Sequence, residues 1–514
     1  IFFFKFFILQ IYLVGKFFQY DREYYMNRNL KIYILFIFVF FIIGTVSFFS
    51  HQGKTMEGVL VNDVSRMNPT YVKEIILADT IEKIQNVIKR ANKENLKVSM
   101  SGTKHSQGGH AFFDGALLLD MTGLNKIISL DTAKKVIHVQ SGVTWAQIQE
   151  FINPHNLAIR AMQSSNVFTV GGSMSSNVHG RDPKNSLIVE TIEDFRLILS
   201  TGEIINVSRD ENQELFSLVI GGYGLFGIIT DVRIRLKENK ILEKEALLLD
   251  YKDFPDYFRK NIKGDSTVEL FIARPSISSK SFLRETIVNL WKTSDIQRNF
   301  DNEIYDLLGE KNVLRDKFFF SLSRDFDFGK DLRWYLQKKL VAEVDKKYFI
   351  TRNNSMRPPT APLKFLDHIS PYNSDIIQEY FIPIDNFVSF IDGLRLILRN
   401  QKINLLGITV RYVPKNDDTF LTYGKKEAFS IVVYSNQNLS SSGMKKAEKM
   451  TRSLVDLALE NGGIYYLTYQ KFYTKNQMKS AYPEIDKFFA KKLEYDPTEL
   501  FINKFYSYYS DRRK

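Results

Sequence analysis

Past residue 55, the apolar positions switch between helical and strand spacing, a pattern typical of a sheet covered by helices. Asp79 or Thr80 is available to cap the first helix. The apolar positions of that helix are Ile81, Ile84, Val87, Ile88 and Ala91. The segments that follow are predicted strands at 97–100, 116–120 and 136–140 and an amphipathic helix near 144–152.

The pattern of residues 190–236 predicts a strand, a hairpin, a helix, a glycine-rich turn and a further strand. The hairpin pairs Phe195–Leu199 with Ile204–Val207 around residues 201–203. Around 240–280 glycines become fewer and charges more frequent, which indicates a boundary into a second domain. The remaining predicted elements are strands at 403–412 and 428–434 and a stretch at 482–506 that is helical and then irregular.

The amino-terminal segment contains one long uncharged run. Eighteen residues from Ile32 to Phe49 carry no charge, and a helix of that length spans roughly 27 Å, close to the hydrocarbon thickness of a bilayer. We therefore predict a single membrane anchor at 32–49, with a signal peptide as the alternative because residues 44–47 resemble a cleavage site. Basic residues are more frequent before the run than closely after it, so the positive-inside rule places the body outside the cytoplasm.

Residues 1–25 precede the first methionine, Met26, and are rich in phenylalanine. We expect them to be a mis-extended upstream translation. The alternative is a second, short membrane-associating stretch.

Composition excludes several chemistries. The chain of 514 residues has no cysteine, which excludes disulfides, cysteine-based zinc or iron–sulfur sites and a cysteinyl bond to a cofactor. It has seven histidines and no His-Glu-x-x-His pattern, so no metal site is expected. The formal net charge of +12 is spread without a dense basic run, which argues against nucleic acid and favours a mild attraction to anionic lipid or a phosphorylated substrate.

Residues 222–227 have the Gly-x-Gly-x-x-Gly spacing of a dinucleotide fingerprint. The Rossmann mechanism requires a strand before the glycines and a helix after them. Here Glu211–Ile220 is predicted to be helical and Ile228–Leu236 to be a strand, so the order is inverted and a Rossmann site is rejected. The turn either only lets two backbone segments pass closely or contacts a flavin.

Two longer loops carry more specific chemistry. The first loop, 101–109, follows a strand and has three glycines, two hydroxyls, His105 and Lys104. Successive backbone N–H groups in such a loop suit a pyrophosphate, although His105 could equally be an exposed loop imidazole. The second loop, 164–180, consists mostly of small and hydroxylated residues, which allow a large polar cofactor to approach the backbone. A tightly packed turn region is the alternative.

In chain order, these elements resemble the FAD-binding domain of the vanillyl-alcohol oxidase/para-cresol methylhydroxylase superfamily. The resemblance covers about residues 65–237 and is greatest to sugar-lactone and alditol oxidases and to decaprenyl-phosphoryl ribose oxidase-like proteins. The end of the chain, 482–503, is similar to the end of the sugar-lactone and alditol oxidases. It rests on the Gly-Thr-Lys-His-Ser motif at 102–106, the Thr-Val-Gly-Gly-Ser and Asn-Val-His-Gly motifs at 169–173 and 177–180, and the glycine-rich turn and strand that begin at Gly221.

The resemblance implies an α+β fold: an FAD-binding domain of two α/β subdomains, a cap domain with an antiparallel sheet, and the preceding membrane helix. The expected divisions are 1–54 with the anchor, 55–239 for FAD, 240–475 for the substrate cap, and 476–514 returning to the FAD domain. His105 takes the place of the histidine that links covalently to the flavin 8α-methyl in some relatives, whereas His110 is expected behind the site or at the surface.

The cofactor-binding residues implied by the resemblance lie in both loops, in the turn and at one glycine between the loops. They are Gly102, Thr103, Lys104, His105, Ser106, Gln107, Gly142, Ser165, Thr169, Gly171, Gly172, Ser173, Ser176, Asn177, His179, Gly180, Gly227, Ile228 and Ile229.

The resemblance also implies candidate catalytic residues. Relatives carry Glu-x-Arg on a cap strand, where this chain has Thr409 and Arg411 and so lacks the carboxylate. Relatives carry His-Trp-Gly-Lys near the end, where this chain has Tyr469 in place of the lysine and Lys471 two residues later, on the same face of a predicted strand. Arg411, Tyr469 and Lys471 are therefore the candidates; Arg411 could instead form a surface ion pair and Tyr469 could be a core-edge aromatic.

The implied function is a membrane-anchored FAD oxidoreductase that oxidises a CH–OH group by hydride transfer to flavin N5. Its substrate would be a sugar, sugar alcohol or aldonolactone, as for D-arabinono-1,4-lactone oxidase, with oxygen, a quinone or a carrier as final acceptor. One alternative is an oxidase of a lipid-linked or phosphorylated sugar, such as decaprenyl-phosphoryl ribose. An alternative of another class is a flavin-binding membrane protein without turnover.

Overall fold

The computed structural model describes residues 39, 58–294, 302–309, 312–342, 348–357 and 372–510. The predicted anchor at 32–49 lies outside the described residues apart from Val39, and so does the stretch 1–25. Among the described residues, no helix combines the length and the apolar character needed to cross a bilayer.

Residues 58–120 form a short antiparallel strand pair and a parallel sheet, in which β3 and β4 flank β5. Thr80 caps helix α1 by accepting from the Lys83 N–H, as the sequence predicted. The middle strand β5 buries Leu117 and Leu119 completely because it has a neighbour on each side. The elements are β1 (Val59–Val61), β2 (Thr70–Val72), β3 (Glu74–Leu77), α1 (Ile81–Glu94), β4 (Val98–Ser101) and β5 (Leu117–Asp120).

Residues 127–238 build the central sheet, which is antiparallel in the order β10-β9-β11-β7-β6, with β8 also paired to β11. The predicted hairpin is confirmed, since Ile204 pairs with Ile198. A helix precedes the glycine-rich turn and a strand follows it, so the inverted order is confirmed too. The elements are β6 (Ile127–Asp131), β7 (Val136–Gln140), α2 (Trp145–Ile152), β8 (Leu157–Ile159), α3 (Val170–Ser175), β9 (Ile192–Ile198), β10 (Ile204–Ser208), α4 (Gln213–Val219) and β11 (Ile228–Glu238).

The rest of the described chain builds the large sheet, antiparallel throughout in the order β15-β12-β14-β13-β17-β18-β16-β19. Its strands are β12 (Ile241–Asp250), β13 (Val268–Pro275), β14 (Glu285–Thr293), β15 (Tyr348–Thr351), β16 (Asn373–Pro383), β17 (Asn404–Val413), β18 (Ala428–Asn438) and β19 (Ile464–Tyr465).

Helices lie between and after these strands. They are α5 (Phe254–Phe258), α6 (Val313–Asp325), α7 (Asp327–Ala342), α8 (Arg352–Ser355), α9 (Phe387–Asn400), α10 (Ser441–Glu460), α11 (Lys475–Ala481), α12 (Ile485–Tyr495) and α13 (Lys504–Tyr509). Short 3₁₀ turns occur at Met121–Gly123, Asn153–His155, Ile188–Thr191, Asn302–Tyr305 and Ile384–Asn386, and a π-helical turn at Arg259–Lys263.

Alternation along β16 gives the large sheet two different faces. Gln378 donates to Thr451 of α10, and the ring of Tyr380 lies 5.9 Å from that of Phe390 in α9, so the even-numbered positions face helices. The odd-numbered positions 375, 377 and 379 therefore face the other way. The mixed helix and sheet content expected from the sequence is confirmed, whereas the domain divisions at 239 and 475 stay predictions.

The end of the chain pairs with the edge of the parallel sheet. The Val98 N–H donates to the Leu500 carbonyl at 2.8 Å, and the Ile502 N–H donates to the Val98 carbonyl at 3.0 Å. The carboxylate of Asp496 supports this segment by accepting from the Leu500 and Phe501 N–H groups at 3.0 and 2.9 Å. Asp496 is fully buried.

Lys492 is the charged partner of Asp496 and is also fully buried. Burial lowers the pKa of Lys492 to about 8, against the opposing effect of Asp496. Removing one member of such a pair leaves an uncompensated buried charge.

We expect Asp496→Ala to destabilise the protein by about 3–5 kcal/mol, because it strands the Lys492 charge and frees two backbone donors. Thermal unfolding followed by circular dichroism measures this as a lower midpoint. Lys487→Ala removes an exposed pair with Glu484 and serves as the control, with an unchanged midpoint. An equal midpoint for both variants would contradict the role of Asp496.

Candidate functional site

A cavity of about 500 Å³ lies between the two glycine-rich loops, the glycine-rich turn and one face of the large sheet. The first loop and the start of β11 form one part of its wall, and strands β16, β17 and β18 contribute the opposite part. The site is therefore built from segments more than 200 residues apart in the sequence.

The first loop is held against the second by a close backbone approach. A Cβ at Gly102 would lie 2.2 Å from Thr169 Oγ1, so glycine alone fits there. Thr169 also caps α3 by accepting from the Gly172 N–H at 3.3 Å. In the first loop, Lys104 has φ +60° and its Nζ lies 3.7 Å from Asp120. These contacts place His105 on the cavity wall, where its ring lies 5.0 Å from Phe168.

Side chains far away in the sequence support the first loop from behind. Asp63 accepts from the Gly109 N–H at 3.1 Å, and Asn68 donates to the Gln107 carbonyl at 3.1 Å. Lys471 Nζ donates to the Gly108 carbonyl at 2.6 Å. Burial and the charge of Lys504 lower the pKa of Lys471 to about 8.

The predicted placement of Lys471 is wrong. Strand β19 ends at Tyr465, and the chain then turns, so Lys471 does not share a strand face with Tyr469. Lys471 lies behind the first loop and is not part of the cavity wall, whereas Tyr469 lines the cavity. The position of Lys471 argues for a supporting role and against the predicted catalytic one.

The glycine-rich turn also contacts the cavity. Tyr223 and Gly224 have φ of 55° and 73°, and Gly227 has φ of 156°. A Cβ at Gly227 would lie 2.7 Å from the Ile198 carbonyl oxygen, which explains why glycine is needed here. Residues 223–229 line the cavity, so of the two interpretations of this turn the geometry favours contact with a ligand.

Most of the predicted cofactor residues line the cavity. These are Gly102, Thr103, Lys104, His105, Ser106, Gln107, Ser165, Thr169, Gly171, Gly172, Ser176, His179, Gly227, Ile228 and Ile229. Four others lie behind the wall: Gly142, Ser173, Asn177 and Gly180.

These four have packing roles that explain their position. A Cβ at Gly142 would lie 2.0 Å from the Met121 carbonyl oxygen. Ser173 accepts a 2.9 Å hydrogen bond from the Trp145 ring, Asn177 faces Thr419, and the Gly180 N–H donates to the Ser186 carbonyl. They pack behind the cavity wall and do not line the cavity.

The cavity wall offers polar atoms suited to a large polar cofactor. Within the described part of the chain, the buried hydroxyls of Ser101, Ser106 and Ser141 have no hydrogen-bond partner, and all three residues line the cavity. Buried polar groups are normally paired, so unpaired ones around a cavity indicate a ligand. With the close-packed glycines, this donor set fits FAD.

A buried carboxylate faces the cavity from the large sheet. Glu379 Oε1 lies 2.6 Å from His179 Nε2 and accepts from the Ser430 hydroxyl, and Tyr469 Oη donates to Oε2 at 3.1 Å. Glu379 and His179 are 3% and 2% exposed. Glu379 is absent from the sequence-based predictions, although a glutamate inside the mostly apolar segment 376–382 was a usable signal.

The charge of Glu379 is stabilised within the site. Burial raises the pKa of this carboxyl, but the interaction with His179, including its hydrogen bond, and the positive charge of Arg411 outweigh burial and lower the pKa to about 2. Burial and the nearby Glu379 raise the pKa of Tyr469 well above its ordinary value. Glu379 is therefore ionised and Tyr469 neutral at physiological pH.

Arg411 lies in β17 opposite Ser430 of β18 and donates to Ser164 of the second loop at 2.8 Å. Its Nε has no partner within the described residues. It lines the cavity and is partly buried, so the surface ion pair considered above is not what the structure shows.

A second polar group lies elsewhere on the same wall. Asp375 accepts from Asn436 at 2.6 Å and from Tyr434 at 3.2 Å, and it pairs with Arg324 of α6. Asp375 and Tyr434 both line the cavity. These groups offer donors and acceptors to a hydroxyl-rich ligand.

His110 is buried and lines the cavity beside the first loop. Its ring stacks on Phe505 at 5.1 Å and lies 5.0 Å from Tyr223. Burial and the charge of Lys471 lower the pKa of His110 to about 3, so it is neutral. The sequence predicts it behind the site or at the surface, and the structure shows neither, because His110 lines the cavity.

The family model described as an FAD binding domain matches residues 72–208. The match confirms the predicted FAD-binding domain. The matched range covers both loops. It includes every predicted cofactor residue except Gly227, Ile228 and Ile229.

Curated relatives are similar to the chain at low identity. The L-gulonolactone oxidase of Bos taurus is 24% identical over 36% of this chain and 42% of its own length. The decaprenylphosphoryl-beta-D-ribose oxidase of Mycolicibacterium smegmatis is 27% identical over 33% of this chain and 38% of its own. Cytokinin dehydrogenase 4 of Oryza sativa subsp. japonica is 21% identical over 82% of this chain and 83% of its own.

The chain thus spans less than half of the length of the two oxidases. These names confirm the predicted resemblance to FAD-dependent oxidoreductases.

We expect Gly102→Ala to weaken FAD binding at least about tenfold, because the new methyl forces the two loops apart at Thr169. Titration of apoprotein with FAD, followed by flavin fluorescence, measures the affinity.

Gly309→Ala is the matched control, since a Cβ there meets nothing within 4 Å. Unchanged affinity in Gly102→Ala would show that the close approach of the loops does not shape the FAD site.

Proposed function

We propose that the chain is an FAD-dependent oxidoreductase that oxidises a CH–OH group of a sugar, sugar alcohol or aldonolactone. The proposal rests on one observation above all. The buried Glu379–His179 pair, with Tyr469 and Arg411, faces the cavity that the FAD-binding loops also line. This arrangement supports acid–base chemistry beside the proposed cofactor.

FAD, when bound, supplies the acceptor for the hydride. The residues that would hold it are the wall residues of both loops and of the turn, with the unpaired hydroxyls of Ser101, Ser106 and Ser141 as polar partners. His105 is the residue through which the flavin would be attached, since it lies in the cavity wall and follows the motif of covalent relatives.

His179 is the proposed acceptor of the substrate hydroxyl proton. Glu379 is ionised and accepts a hydrogen bond from Nε2, so the imidazole carries its proton on Nε2 and leaves Nδ1 as an acceptor. Within the described residues Nδ1 has no partner. The Glu379 carboxylate is too weak a base to take the proton itself, and it stabilises the positive charge that forms on His179.

Arg411 and the Asp375 group complete the substrate side. The Arg411 guanidinium is placed to stabilise negative charge that develops on the substrate oxygen as its proton leaves. Asp375, which accepts from Asn436, and Tyr434 would bind further hydroxyl groups. A hydroxyl-rich substrate fits this distribution better than an apolar one.

A second candidate substrate is a lipid-linked or phosphorylated sugar. The uncharged run at 32–49 and the net charge of +12 favour it, and one relative is named for a decaprenylphosphoryl ribose. Anchoring of the chain by 32–49, with the body outside the cytoplasm, is part of the same proposal, and the final electron acceptor would be oxygen, a quinone or a carrier. Anaerobic flavin bleaching with a panel of free and lipid-linked sugars separates the two substrate classes.

We expect Glu379→Gln to lower the rate of anaerobic flavin reduction by at least about 10²-fold at unchanged flavin content. A glutamine has no negative charge to stabilise the positive charge that forms on His179 as it takes the proton. Stopped-flow absorbance measures the rate.

Glu427→Gln removes a partly exposed carboxylate that pairs with Lys263 and serves as the control. Equal rates in wild type and Glu379→Gln would exclude Glu379 from the reaction.

For His105 we expect the acid-denatured wild type to keep its yellow flavin and denatured His105→Ala to lose it. His155→Ala, which changes an exposed histidine, is the control and keeps the flavin. Absorbance of the precipitated polypeptide is the measurement. Colour retained by denatured His105→Ala would overturn the assignment of the attachment point.

A further inference from the structure

The face of the large sheet that lines the cavity continues beyond the cavity onto β13, β14 and β12. Ala273 of β13 pairs with Val410 of β17. Side chains alternate along a strand and paired residues point to the same face, so Arg274 and Arg411 share one face. Arg411 lines the cavity, which places Arg274 on the same face one strand further along.

The same alternation brings two further polar groups onto this face. Ile272, two residues before Arg274, pairs with Asn289 of β14. Trp291 lies two residues after Asn289 and pairs with Lys244 of β12. Asn289, Trp291 and Lys244 therefore point to the side from which Arg411 reaches the cavity.

Four basic side chains gather around Arg274 and Trp291. The guanidinium carbon of Arg181 lies 5.4 Å from the centre of the Trp291 ring, and Lys244 Nζ lies 5.9 Å from it. Burial and the charge of Arg274 lower the pKa of Lys244, and they lower the pKa of Arg333 in α7 to about 10. We call these four side chains the basic cluster: Arg181, Lys244, Arg274 and Arg333.

The basic cluster has no counter-charge in the described part of the chain, where none of its four members forms an ion pair. Partly buried cations of one sign are unfavourable unless an anion compensates for them. The carboxylates of this face have partners of their own: His179 for Glu379, Arg324 for Asp375 and Lys338 for Glu285.

Arg181 and Asn289 show the same deficit in buried positions. Arg181 is 9% exposed and donates to the Ser355 carbonyl, and burial with the charges of Arg411 and Arg274 lowers its pKa to about 9. Asn289 is 7% exposed, and its Nδ2 has no hydrogen-bond partner among the described residues. Buried donors are normally paired, so an unpaired one beside uncompensated cations indicates an anionic ligand.

We propose that the basic cluster binds an anionic group of the substrate, a phosphate ester or a carboxylate. Guanidinium groups present the paired donors that both anions accept. Arg181 follows His179, the proposed proton acceptor, by two residues, and Arg411 borders both the cavity and the cluster. The inference rests on the proposed function and narrows it to a negatively charged sugar.

Binding without turnover tests the cluster directly. The flavin-loaded full chain is titrated by calorimetry with glucose 6-phosphate, glucuronate and glucose, which carry a phosphate, a carboxylate or a hydroxyl group at the same carbon. We expect at least one charged sugar to bind at least about tenfold more tightly than glucose. The sugar that does so assigns the anion as phosphate or carboxylate. Equal affinity for all three would overturn the proposal.

Substitution of the central arginine ties the binding to the cluster. We expect Arg274→Gln to weaken binding of the charged sugar at least about tenfold and Arg274→Lys to weaken it less, because lysine keeps the charge. Arg235→Gln, which removes a half-exposed arginine that pairs with Glu193 on the central sheet, is the control with unchanged affinity. Flavin content and the unfolding midpoint establish that the variants are folded. Equal affinity in Arg274→Gln and Arg235→Gln would exclude the cluster.

Anaerobic flavin reduction separates this inference from the proposed function. If a charged sugar binds through Arg274 but no sugar bleaches the flavin, the anion site stands and the oxidoreductase proposal fails. If the neutral and charged forms of one sugar bleach the flavin with the same concentration dependence, the oxidoreductase proposal stands and the anion site fails.

Discussion

Burying an ionised carboxylate costs several kcal/mol unless opposite charge and hydrogen bonds compensate for it, and this constraint governs the site. Glu379 lies on the large sheet, but the His179 ring that donates to its carboxylate belongs to the second loop. The compensation therefore requires the sheet and the loop to close on each other. That closure creates the cavity and gives the carboxylate its depressed pKa. A single interaction thus links the packing of two regions to the acid–base chemistry we propose.

The second structural requirement is close approach of backbone segments. Gly102 meets Thr169, and Gly227 meets the Ile198 carbonyl, at distances that no side chain permits. Asp63 and Lys471 then hold the first loop from behind. Because the wall is packed this tightly, the wall hydroxyls that have no hydrogen-bond partner among the described residues are held in defined positions. The site is therefore preorganised for a ligand.

The local elements and the cofactor loops could be predicted because their signals are local. The periodicity of α1, the hairpin at 201–203 and the small residues of the second loop all act within a few residues of each other. The prediction placed Lys471 wrongly because its two-residue spacing from Tyr469 fits a strand, whereas the chain turns after β19. That turn depends on tertiary packing, which the sequence pattern does not show. Glu379 was missed because the role of a glutamate in a mostly apolar strand segment depends on the loop that faces it, which the sequence pattern does not show.

By itself the sequence determined the helices and strands, the inverted order around the glycine-rich turn, the exclusion of cysteine chemistry and the loops that match an FAD-binding domain. Periodicity, composition and turn residues are properties of short stretches of chain. The tertiary structure alone decided which carboxylate meets His179 and which face of the large sheet lines the cavity. These depend on contacts between residues some 200 positions apart, which no local pattern encodes.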